Sequence, residues 1–156
     1  MIQRIQSLYL LATMLILSIL FFVPFASMQL GGLEVSMSVS KFYPDTFIFT
    51  KYPYIFWGLT LLTAGVILLS GFALLSYKNR KRQIKLVSAS FFVNILLVGS
   101  LFFSVEFLAP KLYTQANGIE YLWSTYIPLL AMLLISMALR AIRKDEALIR
   151  SADRLR

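Results

Sequence analysis
Lys78-Asn79-Arg80-Lys81-Arg82-Gln83-Ile84-Lys85 carries five cationic side chains and no acid. On either side of it lie apolar runs, residues 54–77 and 84–108. Each is long enough for a helix that crosses a bilayer, which needs about 20 apolar residues. Carrying this much positive charge across a membrane is disfavoured, so the stretch is expected to stay in the cytoplasm. That assignment orients the rest of the chain.

The chain around it has the composition of a membrane protein. Of its residues, 59% are hydrophobic and only 14% charged, where a soluble domain averages about 25% charged. The net charge of +8 is not the footprint of a nucleic-acid binder. Its cations sit at the ends of apolar runs, where they fix topology and meet anionic headgroups. The sequence has no cysteine and no histidine. Disulfides, thiolate metal sites, haem ligation by histidine and Ser-His hydrolysis are thereby excluded. No cofactor, metal or nucleic-acid partner is expected, nor is catalysis.

Working outward, Pro53 suits the first turn of the helix over about 54–77. Tyr54 and Trp57 mark its outer end and Tyr77 its inner end, as interfacial anchors. Gly58, Gly65 and Phe72 recur every seven residues, with Gly71 adjacent. This spacing marks Gly58 and Gly65 as candidates for close helix packing. The helix over about 84–108 carries Asn94 near mid-membrane. Asn94 reads either as a hydrogen bond between helices or as a contact to a ligand or partner subunit. Glu106 lies one turn from the outer end. It is a candidate interface acid, within reach of water or Lys111, or else a functional acid in the membrane. Pro110 is expected to end this helix.

The first helix is expected over about 7–28. Its apolar run exceeds the roughly 7–15 residues of a signal-peptide core, so it is expected to be retained. The external loop over 29–53 alternates Leu33, Val35, Met37 and Val39 with Glu34, Ser36, Ser38 and Ser40. Period two predicts a strand with one apolar face. Gly31-Gly32 predicts a turn before it, and Phe47-Ile48-Phe49-Thr50 a returning strand. The second external loop, 109–120, holds a turn signal at Asn117-Gly118. The fourth helix is expected over about 121–156, with Trp123 and Tyr126 at the interface and some bending at Pro128.

No glycine or proline interrupts Arg140 to Arg156. Leu148, Ala152 and Leu155 fall at i, i+4 and i+7, and Glu146 precedes Arg150 by four. The fourth helix is therefore expected to continue into the cytoplasm. It reads either as a solvated or membrane-lying basic helix or as a docking helix. Candidate docking residues are Arg80, Arg82, Arg143, Leu148, Ala152 and Leu155. This topology places twelve cations on the side of the basic stretch and only Lys41, Lys51 and Lys111 on the other. Both termini are therefore expected in the cytoplasm. The fold expected is an all-α membrane protein of one domain over 1–156. It is an antiparallel four-helix transmembrane bundle with a small extracytoplasmic β-hairpin cap and a cytoplasmic C-terminal helical extension.

The opening Met1-Ile2-Gln3-Arg4-Ile5-Gln6-Ser7-Leu8-Tyr9-Leu10-Leu11 and the ending Arg140 to Arg156 resemble an uncharacterised family of four-helix membrane proteins of Bacteroidetes-type bacteria, a domain of unknown function. The resemblance covers the full length and is most specific at those two ends. It implies a bacterial inner membrane and supplies no activity and no catalytic residue. A signature at the cytoplasmic ends suits docking better than transport. The leading expectation is a non-enzymatic subunit of a larger inner-membrane complex, such as a protein-export or secretion machine. Its partners would be other integral membrane subunits and lipids, including anionic headgroups. The alternatives are a small transporter or channel, against which the bundle's lack of a central charge weighs, and a lipid- or quinone-binding protein.

Overall fold
The computed structural model describes residues 3–30, 33–40, 42–43, 53–112 and 117–154. The helices are α1 (Gln3–Ile19), α2 (Pro53–Leu75), α3 (Arg80–Leu112) and α4 (Ile127–Arg154). They form a ring in which α1 packs on α2 and α4, and α3 packs on the same two. The strands are β1 (Ala26–Leu30), β2 (Leu33–Met37), β3 (Phe42–Tyr43) and β4 (Asn117–Tyr121). They make one antiparallel sheet in the order β3-β2-β1-β4.

The helices assemble through a seam that alternates steps of three and four residues. Buried positions are Gln6, Leu10, Thr13 and Leu17 on α1, and Leu59, Thr63, Val66, Ser70 and Ala73 on α2. On α3 they are Gln83, Val87, Ser90, Asn94, Leu97 and Leu101, and on α4 Ala131, Ile135, Ala138, Ile142 and Asp145. This is the spacing of a and d positions in a coiled coil. Many of these residues are small or polar, and large apolar side chains such as Leu61, Leu68, Phe92 and Leu133 point outward. Only 28% of the apolar window of α2 is buried. In water such a surface would drive aggregation; in lipid it is the solvated face, and small residues let the helices approach.

Interior hydroxyls cost little because they find carbonyls. Thr13 donates to Tyr9 O and Thr63 to Leu59 O, each at 2.8 Å. Ser70 and Ser90 share a hydrogen bond of 3.0 Å between α2 and α3.

Among the described residues, three stretches are long and apolar enough to cross a membrane: Pro53–Leu75, Arg80–Leu108 and Trp123–Ile149. The first helix departs from expectation. It stops at Ile19 after 17 residues, about 26 Å at 1.5 Å per residue, and does not reach Met28. Leu20 and Phe21 close i−3 turns onto Leu17 and Ser18. Proline disfavours helix in the residue before it, and the chain leaves Pro24 as strand β1. Residues 26–30 thereby occupy the sheet interior, paired on one side with β2 and on the other with β4.

The expected hairpin is thus present, but its second strand precedes Leu33. Residues 47–50, expected to return against β2, lie outside the described residues, as do Gly31 and Gly32. The sheet is also wider than a hairpin, because the second loop contributes β4 where only a turn was expected. Val35, Met37 and Val39 form the predicted apolar face and are buried with Phe25 and Met28. The third helix is longer than expected at both ends. It starts at Arg80, where Asn79 Oδ1 caps the Arg82 N–H at 3.2 Å, and it runs through Pro110 to Leu112. The fourth helix starts later than expected, after a 3-10 turn over Trp123–Tyr126.

Candidate functional site
At one end of the bundle the start of α1, the start of α3 and the tail of α4 converge. Asp145 lies on the seam, one heptad beyond Ala138, and is buried. The Gln6 side chain donates from Nε2 to Asp145 Oδ2. Arg80 Nη1 stands 3.9 Å from the same oxygen. Gln83 is buried nearby on the α3 seam. A lone buried carboxylate would be costly; here a guanidinium and an amide compensate it. We call this arrangement the polar clamp.

The clamp changes the reading of the docking candidates. Arg80 is half-buried and turned to Asp145, so it is not part of an open docking face. Arg82 and Arg143 are exposed. Beyond Asp145, Leu148 is 52% exposed and Ile149 is 44% exposed. The side chain of Ala152 and the whole of Leu155 lie outside what is described. Sequence reasoning passed over Asp145 as one more charge in a basic tail. Its signal was register: Ala131, Ile135, Ala138 and Ile142 lead to it in steps of four, three, four and three.

Asn94 is fully buried, and its Nδ2 donates to Pro128 O at 2.9 Å, joining α3 to α4. Its Oδ1 is the one buried side-chain polar atom without a hydrogen-bond partner among the described residues. The glycine candidates separate. A Cβ on Gly65 would sit 3.8 Å from Val93 Cγ1, ordinary contact between α2 and α3. A Cβ on Gly58 would meet nothing within 4 Å, so among the described residues no neighbour packs closely against it. Its neighbours Trp57 and Leu61 are exposed. Gly71, one Cβ away from Met14 Cε at 3.4 Å, holds the closer approach between α2 and α1.

At the opposite end, Glu106 is exposed and accepts a hydrogen bond from Tyr121 Oη at 3.2 Å. Glu106 is thus open to water, one of the two outcomes expected, and its described side-chain partner belongs to the cap; the Lys111 side chain lies outside what is described. Burial, and then the Glu106 carboxylate beside it, push the Tyr121 phenol above its ordinary value. Two hydroxyls also tie this end together: Ser124 donates to Pro24 O and Thr125 to Phe25 O. Thr60 donates to Val39 O at 3.1 Å beside an apolar slot of about 160 Å³ lined by Ser40, Phe56, Trp57 and Thr60.

Among the described residues no group of three or more His, Cys, Asp or Glu is placed to hold a metal ion. What the basic end can do is present charge and an apolar helix tip. Over residues 2–155 the sequence matches the family described as "Domain of unknown function (DUF4293)". No curated protein matches it.

Proposed function
The chain belongs to the DUF4293 family, and on that footing we propose that it is a non-enzymatic subunit of a larger bacterial inner-membrane complex, for example a protein-export or secretion machine. Both termini are cytoplasmic in this reading, and contact with other integral membrane subunits is made through the tail of α4. The observation that carries it is the exposure of Leu148 and Ile149 beyond the clamp. Leu148 lies nine positions beyond Leu139, the last residue of the apolar run, with Arg140, Arg143 and Lys144 between. On a continuous helix that is about 14 Å, and an ordinary tilt of about 20° does not return it to the hydrocarbon. In this reading lipid does not cover these side chains. The tail continues the 28-residue α4 and needs no helix nucleus of its own; a protein surface would cover its exposed apolar side chains.

The test is affinity purification from native membranes in mild detergent, with a tag at the C-terminus. Integral membrane proteins should be recovered with wild type in fixed stoichiometry, and lost with Leu148→Ser/Ile149→Ser while the variant stays folded in the membrane. Recovery of wild type as a monomer would sink the proposal. A second reading, a lipid- or quinone-binding protein, draws support from the slot beside Trp57. Its lining is apolar except for the Ser40 and Thr60 hydroxyls, and a section of acyl or isoprenoid chain would fill it.

A further inference from the structure
Residues 78–85 and 140–146 meet at the clamp and together hold eight cations and two acids. One of the acids, Asp145, is committed to Gln6 and Arg80, and the other, Glu146, is half-buried. Lys78, Lys81, Arg82, Lys85, Arg143 and Lys144 are all exposed. The first turn of α3 contains no acid to offset them, although the positive end of the helix dipole adds to the same field. This charge needs an external counter-ion.

The surroundings select its chemistry. Leu75, 71% exposed, and Tyr77, 54% exposed, directly precede Lys78. Phe92, 66% exposed, lies two turns beyond Lys85. This apolar surface belongs to the lipid-facing spans, so the cations stand at the membrane surface, where an anionic amphiphile meets both. We propose that the girdle selectively holds anionic phospholipid. The phosphates lie against Lys81, Arg82 and Lys85 on α3 and Arg143 and Lys144 on α4, and the acyl chains lie along the exposed apolar surface of α2 and α3. The site is separate from the protein contact proposed at Leu148 and Ile149, which lies further along α4, and it stands whether or not a partner subunit binds there.

The full-length protein is reconstituted in phosphatidylcholine containing a minority of phosphatidylglycerol, and the retained lipid is identified by native mass spectrometry after gentle delipidation. Wild type is expected to retain phosphatidylglycerol well above its share of the mixture. Lys81→Gln/Arg82→Gln/Lys85→Gln should lose that enrichment, by up to about fivefold for each cation removed. The variant keeps nine of the twelve cations on its side against three on the other, so its orientation is preserved. Its thermal midpoint in pure phosphatidylcholine should equal that of wild type. Arg143→Gln/Lys144→Gln, on the other helix, gives an independent partial loss should the triple variant not fold. Retention of the two lipids in proportion to the mixture, or undiminished enrichment in both variants, overturns the proposal.

Discussion
The two ends of the bundle are closed by different chemistry. At the sheet end, closure is largely backbone: β1 is paired on both sides, Phe25 N–H reaches Met37 O at 2.7 Å, and Leu122 N–H reaches Phe25 O at 3.0 Å. Hydroxyls of Ser124 and Thr125 add neutral bonds to carbonyls. At the basic end there is no sheet among the described residues, and three helix ends are held by the side chains of Gln6, Arg80 and Asp145. Backbone closure is redundant, since losing one bond leaves others in the same ladder. Side-chain closure is concentrated, since one carboxylate serves both partners. The sheet end is accordingly the more tolerant of mutation, and the clamp is where the molecule is most sensitive.

The sharpest way to break this contrast is Asp145→Ala, which removes the acceptor of Gln6 and leaves Arg80 unpaired. We expect a loss of about 2–3 kcal/mol, below the full cost of breaking a buried pair because Arg80 retains some access to solvent. Thermal unfolding in detergent measures it, and Asp145→Asn should recover part of the loss through the surviving bond to Gln6. An unchanged midpoint for Asp145→Ala would remove the clamp from the argument.

Thr125→Val at the sheet end should cost less, about 1 kcal/mol. The Phe25 carbonyl it abandons still accepts from Leu122, so no orphan acceptor is created. A loss as large as that of Asp145→Ala would show the two ends to be equally concentrated. Gly58→Ala should be nearly silent, within about 0.5 kcal/mol, since the added methyl meets no protein atom. A clear loss of stability in the same unfolding measurement would restore Gly58 as a packing residue.

The legibility of the two ends also differs. Apolar runs and interfacial aromatics marked the helices. Helix ends were less visible. Pro24 by itself suits a kink or stop near the end of a longer helix, yet Ala26 to Leu30 belong to a sheet because two other segments supply their hydrogen bonds. The hairpin face Val35, Met37 and Val39 was readable because alternation is local. Its partner was not, because strand pairing depends on where the chain returns.

The candidate site divides along the same line. Leu148 was legible as part of an apolar stripe on an uninterrupted helix, and its exposure on the tail of α4 agrees with a face turned outward. Asn94 was legible because an amide amid apolar residues needs a partner, though the choice of Pro128 O was not. Arg80 looked like surface charge. The buried acid that claims it is 65 residues away in sequence, the separation of positions 80 and 145, and no local pattern encodes that meeting.

By itself the sequence determined the solvent of this protein and its charge asymmetry, because hydrophobicity and charge are summed over residues and need no contact map. The tertiary structure alone decided which seam residues meet, that α1 ends early to feed a four-stranded sheet, and that Asp145 is withdrawn from the tail. Each of these depends on hydrogen-bond partners brought together from remote positions, and a buried polar group is tolerated only when such partners arrive.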